Sequence, residues 1–180
     1  MTKLVIGYWE GWSLTTRSCA SRTIDDVPVG GLTHLNLAFG YIQPGTFEIY
    51  PIPRVGEQQL SEIANLKQKA PGLRIWISLG GWTFSDNGTD TQAVWADIAG
   101  SASNRGQFIR NLVTFMKEWG FDGVDLDWEY PGAPDRGGHD TDGDNYVLLL
   151  KDIRDYWDDQ NTGWGLSCKS DEPSWTMFCY

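Results

Sequence analysis

Three carboxylates, Asp125, Asp127 and Glu129, stand at every second position of residues 121–131, FDGVDLDWEYP, with Val124, Leu126 and Trp128 between them. In a β-strand this spacing puts the three acids on one face and the three apolar side chains on the other. Successive acids are then roughly 6.5–7 Å apart at Cα, close enough for their side chains to interact. A row in which one carboxyl keeps its proton beside an ionised neighbour is the apparatus of general acid catalysis. A solvated acidic edge is the ordinary reading of a short acidic run, but it gives no reason for Val, Leu and Trp on the opposite face. An oxygen-ligand site for Mg or Ca is a third reading.

Around this stretch the chain alternates strand-like and helix-like segments. Residues 4–9 (LVIGYW), 32–39 (LTHLNLAF) and 73–79 (LRIWISL) read as buried strands, with 121–131 as the fourth. A helical turn is expected near Thr23–Val27, limited by Pro28. Glu57–Ala70 repeats apolar residues at helical spacing, at Leu60, Ile63, Ala64 and Leu66, and closes at Pro71-Gly72. Asn104–Trp119 carries the stripe Phe108, Leu112, Phe115, Met116 and Trp119, with Ser103 or Asn104 to cap its start and Gly120 to end it. Residues 43–56, a polar stretch after Trp82, and 132–143 read as loops. A helix over 144–159 presents Tyr146, Leu149, Leu150, Ile153 and Trp157 on one side. Residues 164–168 begin a fifth strand.

Short apolar strands alternating with amphipathic helices call for a parallel sheet covered by helices. A doubly wound sheet and a (β/α)₈ barrel both answer that description. The first strand–helix turn lacks Gly-x-Gly-x-x-Gly, which counts against nucleotide binding. In a barrel, active residues gather at the C-terminal ends of strands, where Tyr8, Phe39, Ser78 and Glu129 fall.

At 180 residues the chain is one domain in length and can bury a sizeable core. Its formal net charge of −10 argues against nucleic acid and against an anionic membrane surface as partners. No run is long enough to span a bilayer, and no basic start followed by an apolar stretch marks a signal peptide. Ten Trp and seven Tyr are many for this length; some must be core, but flat aromatic faces also suit pyranose rings. Cys19, Cys168 and Cys179 are an odd number without metal-ligand spacing, so they fix neither a disulfide framework nor a redox compartment.

The pattern Asp122-x-x-Asp125-x-Asp127-x-Glu129 followed by Tyr130-Pro131 resembles the signature of family 18 glycoside hydrolases, the chitinases and their relatives. The resemblance covers almost the whole chain and implies a TIM (β/α)₈ barrel, of which about the first four β/α units are present. It implies Glu129 as general acid and base, Asp127 holding the substrate's N-acetyl group, and Asp125 coupled to Asp127. Asp122 is expected to brace the strand. Ser78-Leu-Gly80-Gly81 followed by Trp82 is similar to the family's Ser-x-Gly-Gly motif, its glycines allowing close approach to the backbone. Tyr8 and Phe39 match positions lining the pocket of the cleaved sugar, Trp82 and Trp12 match aromatics that stack on flanking sugars, and Tyr130 joins this binding set. The implied reaction is substrate-assisted and retaining, with no metal and no organic cofactor. The implied ligand is chitin or chito-oligosaccharides, and the implied location is extracellular.

Two features depart from the family. A barrel of this type typically needs about 250 residues. Residues 1–168 therefore read as the N-terminal half of the catalytic domain, and 169–180 as an atypical tail mixing charge, Pro, Trp and Cys. An incomplete barrel is expected to expose strand edges and half its interior, and so to associate with itself. A catalytically inactive fragment or glycan-binding relative, and an endo-β-N-acetylglucosaminidase, stand beside the chitinase reading.

Overall fold

The computed structural model describes residues 3–13, 18–19, 23–51, 57–169 and 176–178. In chain order its elements are β1 (Ile6–Glu10), β2 (His34–Ile42), β3 (Ile49–Pro51), α1 (Glu57–Lys69), β4 (Arg74–Gly80), α2 (Val94–Ala99), α3 (Ala102–Trp119), β5 (Gly123–Asp127), α4 (Asp142–Asp159), β6 (Gly165–Lys169) and β7 (Thr176–Phe178). They form one sheet in the order β1-β2-β4-β5-β6-β7, with β3 paired to β2 off that path. The five long-range neighbours β1, β2, β4, β5 and β6 run parallel, as strands linked by crossover segments must. The β1–β2 connection includes a 3-10 turn, Ile24–Asp26, where a helical turn was expected.

The alternation of side chains along each strand divides the sheet into two rows. Leu35, Leu37, Ile75, Ile77, Leu79, Val124, Leu126, Leu166 and Cys168 form one continuous buried surface. Against it pack the apolar stripes of the helices, Leu60, Ile63 and Leu66 of α1, Trp95 and Ile98 of α2, Phe108, Leu112 and Met116 of α3, and Leu149, Ile153 and Trp157 of α4. The other row is polar and small: Asn36, Ser78, Asp125, Asp127 and Ser167, with Gly123 and Gly165.

One aromatic interrupts this second row. Trp76 is the register partner of Gly123, which is in turn the partner of Gly165. A Cβ at Gly123 would lie 2.5 Å from the Trp76 indole nitrogen, and one at Gly165 would lie 2.0 Å from its six-membered ring. The indole therefore lies across two neighbouring strands, in the space that two missing side chains leave open. His34 meets it edge-on at 4.9 Å between ring centroids.

The structure corrects several expectations. β2 runs past Phe39 to Ile42, with a register shift between Ala38 and Gly40, because its last residues gain a partner in β3 within the stretch read as a loop. The polar loop after Trp82 contains α2, whose six residues are too few to show a helical period. Helix α3 starts at Ala102, and Ser101 caps it by accepting the Asn104 N–H at 3.1 Å, so neither Ser103 nor Asn104 is the cap. Gly120 does end it, with φ of 73°. Helix α4 begins at Asp142, two residues earlier than read. The fourth strand stops at Asp127, where its pairing with Gly80 ends, so Glu129 lies just beyond the sheet. Part of the expected unpatterned tail is β7, antiparallel to β6. Residues 170–175 and 179–180, Cys179 among them, lie outside the described residues. The second row is also not exposed: Asn36, Trp76, Ser78, Asp125 and Ser167 are all buried, because Trp76 and a hydroxyl network fill that side.

Substituting Gly165→Ala puts a methyl into the Trp76 ring and is expected to destabilise the fold by at least the about 1–3 kcal/mol typical of overpacking. Urea unfolding measures the loss. Adding Trp76→Leu to the same chain should recover part of it, which a glycine required only for backbone freedom would not allow.

Candidate active site

Asp125 is the centre of the polar row and is only 3% exposed. Burying a carboxylate without partners costs several kcal/mol, so its acceptors must be filled. Three strands fill them. Ser78 of β4, the register partner of Asp125, donates to Oδ2 at 2.8 Å. Ser167 of β6, its partner on the other side, donates to Oδ1 at 2.6 Å. Tyr8 of β1 reaches across the sheet and donates its phenolic hydroxyl to Oδ2 at 2.9 Å. Burial of the Tyr8 hydroxyl end, then the charge of Asp125 and the bond to it, raise the Tyr8 pKa far above its ordinary value, while a bond from the Asn36 side chain opposes that shift.

Two residues further along lies Asp127, 8% exposed, and beyond the end of the strand Glu129, 5% exposed. The Asp127 carbonyl accepts the Gly81 N–H at 2.9 Å, which joins the ends of β4 and β5. Gly80 and Gly81 have φ of 102° and 88°. A Cβ on Gly80 would stand 2.5 Å from the Asp127 carbonyl oxygen, and one on Gly81 would stand 2.7 Å from the Phe39 ring. Both the conformation and the space require glycine here. The Ala38–Phe39 and Glu129–Tyr130 peptides are cis.

Aromatic side chains surround the acids at the C-terminal ends of the strands. Trp12 stacks on Phe39 at 5.7 Å between centroids and 12° between planes. Trp82 is 54% exposed and meets Tyr130 edge-on at 6.4 Å. Behind the acids, Trp128 stacks on Trp95 and meets Tyr146 edge-on, and the Tyr146 hydroxyl donates to the Leu126 carbonyl at 3.0 Å. Each acid-bearing turn of chain thus rests on a buried aromatic layer under the helices.

The structure brings Tyr8, Ser78, Asp125, Asp127 and Glu129 to one end of the sheet, with Phe39, Gly80, Gly81, Trp12, Trp82 and Tyr130 beside them. It places Asp122 elsewhere, at the start of β5. There Asp122 accepts the Ile75 N–H at 2.9 Å and the Lys67 ammonium at 3.0 Å, tying α1 and β4 to the strand. Lys67 also donates to the Gly120 carbonyl at 2.7 Å.

Three partners were missing from the sequence reading. Ser167 and Asn36 belong to the network around Asp125, and only the register of β1, β2 and β6 reveals them. Arg136, in the loop after Glu129, is buried and donates to the Glu129 carbonyl at 2.6 Å. Nothing in a glycine-rich loop sequence distinguishes that arginine from a solvated one. Asp142 organises the same loop, accepting the Gly132 and His139 N–H groups at 3.2 and 2.8 Å.

A row of alternate acids, one of them saturated by hydroxyls, at the mouth of an aromatic-lined sheet end can deliver a proton to a substrate oxygen. It can also hold a polar substituent beside that oxygen. The family model for glycosyl hydrolases family 18 matches residues 4–172. The endochitinase of Manduca sexta is 30% identical over 166 residues, covering 91% of this chain and 29% of its own length. Chitotriosidase-1 of Mus musculus is 31% identical over 149 residues, covering 83% and 30%. Among solved structures, the Group IV chitinase of Ostrinia furnacalis in complex with allosamidin is 26% identical with a TM-score of 0.78, over 92% of this chain and 43% of that one. The chain spans less than half the length of each of these relatives.

The raised pKa of Tyr8 has a consequence at alkaline pH. The folded state holds that proton above tyrosine's ordinary 10.0, so its contribution to stability is complete below pH 10.0 and falls as the pH climbs beyond it. In Tyr8→Phe this alkaline fall is expected to shrink, as read from urea midpoints at rising pH. An unchanged pH dependence would mean that Tyr8 titrates like a solvated tyrosine.

Proposed function

The chain belongs to the glycosyl hydrolases of family 18, and from that membership and the acid row we propose that it carries the catalytic acids of a chitinase-type hydrolase acting on β-1,4-linked N-acetylglucosamine. The observation that supports this reading best is the convergence of three hydroxyls on buried Asp125, with Asp127 and Glu129 following at alternate positions towards the open end of the sheet. Such an arrangement keeps one acid as a fixed acceptor and leaves the outer two to face a sugar.

In the proposed reaction Glu129 gives its proton to the glycosidic oxygen as the bond to the anomeric carbon breaks. The carbonyl oxygen of the substrate's own N-acetyl group attacks that carbon from the opposite face, forming a cyclic oxazolinium ion. Asp127 accepts a hydrogen bond from the acetamido N–H, which holds the carbonyl in line and offsets the positive charge on the ring. Asp125, held by Tyr8, Ser78 and Ser167, positions Asp127 beside it. Water then attacks the anomeric carbon, losing a proton to Glu129 as the bond from that carbon to the acetamido oxygen breaks and the N-acetyl group is restored, and the product keeps its configuration. Trp82, Trp12, Tyr130 and Phe39 supply apolar faces for neighbouring pyranose rings. An extracellular setting belongs to the same proposal.

Hydrolysis of a fluorogenic N-acetylchitobioside by the chain tests the reading, with Glu129→Gln beside it. Turnover is expected, reduced in the variant by about 10²–10⁴-fold, the usual contribution of a general acid or base. Binding of chito-oligosaccharides without turnover would replace the hydrolase with a glycan binder. Cleavage of N-glycan cores in preference to chito-oligosaccharides would make it an endo-β-N-acetylglucosaminidase.

A further inference from the structure

Arg136 is 7% exposed, and each of its three nitrogens has a different acceptor. Nε donates to the Glu129 carbonyl at 2.6 Å, Nη2 donates to the Trp82 carbonyl, and Nη1 pairs with the Asp86 carboxylate at 3.2 Å. Its planar face lies over the Trp82 ring, with the guanidinium carbon 4.0 Å from the centroid. One side chain from the loop after β5 therefore grips both the main chain and the indole of the loop after β4.

We propose that Arg136 is a positioning residue that locks the Glu129 carboxyl and the Trp82 indole into one fixed relation, so that a sugar stacked on Trp82 presents its glycosidic oxygen to the acid. The inference rests on the hydrolase reading for its functional part and on geometry for the rest. Glu129 lies beyond the last pairing of β5, so the ladder no longer holds its backbone. Its carbonyl is instead held by Arg136. Trp82 follows Gly81 in a short 3-10 turn and is half exposed, so packing alone leaves its indole free to swing. The stacked guanidinium removes that freedom on one face and leaves the other for a ligand. Asp86 neutralises the charge, which a buried arginine requires. Only a planar fork can meet three acceptors and a ring at once, so lysine is not a substitute here.

The test uses the full chain labelled with 5-fluorotryptophan. Trp82→Phe identifies the Trp82 resonance by ¹⁹F NMR. Arg136→Lys is expected to shift or broaden that one resonance while leaving the signals of Trp95, Trp128 and Trp157 in place. It is also expected to lower kcat on chito-oligosaccharides by about 10²-fold, the cost of misplacing a reacting group by about an ångström, and to raise KM. In a Trp82→Ala background the KM effect should vanish while the kcat effect, carried through the Glu129 carbonyl, persists. A merely structural arginine would not divide the two parameters this way. Should Arg136→Lys fail to fold, Asp86→Asn loosens the same guanidinium and is expected to move the Trp82 resonance. An unmoved Trp82 resonance in every folded variant overturns the proposal. If the wild type cleaves nothing, the hydrolase reading is lost, and the Arg136–Trp82 coupling still stands or falls on the resonance.

Discussion

A buried carboxylate must have its acceptors filled, and in this chain three strands are aligned so that Asp125 has them. Tyr8, Ser78 and Ser167 come from β1, β4 and β6, and they reach one side chain only if every intervening pairing is in the observed register. The penalty for leaving Asp125 unpartnered runs to several kcal/mol. That is comparable with the net stability of a small domain, so the acid's needs and the sheet's alignment are one problem. The outer acids inherit their places from this solution. Asp127 lies two residues towards the sheet end, and Glu129 lies past it, held by its carbonyl.

The opposite face of the same strands answers the hydrophobic demand. Val124 and Leu126 alternate with the acids and meet the aromatic layer of Trp95, Trp128 and Tyr146 under α2 and α4. Burial there fixes which side of the strand faces the helices, and hence which side the carboxylates take. Trp76 closes the polar side further down the strands. It is accommodated because Gly123 and Gly165 have no side chains, so the bulk of three positions comes from one. Asp122 anchors the start of β5 to α1 and β4. The strand is therefore fixed at its base by an ion pair, along its length by two ladders, and at its tip by loop contacts.

What was legible in the sequence follows from what is local. The two-residue period of the acids, the helical stripes of α1, α3 and α4, and the Gly120 terminator each lie within a few residues of chain, and the structure contains those elements. The family resemblance rests on the same contiguous stretch, and the match over residues 4–172 agrees with it. What was missed is non-local or short. Ser167 meets Asp125 across 42 positions of sequence, and β3 exists only because β2 offers it an edge. The six residues of α2 complete fewer than two turns, too few for a period, although Val94, Trp95 and Ile98 are fully packed. Arg136 has the composition of a solvated loop and the environment of a core.

The alternation that makes the site also limits how its gene can vary. Exchanging one side chain in β5 alters one contact, but inserting or deleting a single residue between Gly123 and Asp127 would turn every following side chain to the opposite face. Asp127 would then point into the aromatic layer and Leu126 into the polar row. The loop after the strand is not bound by this two-residue period, and Asp142 and Arg136 hold it from outside the ladder. In such a fold the length of the strand is a physical constraint of its own, separate from the identity of any residue in it.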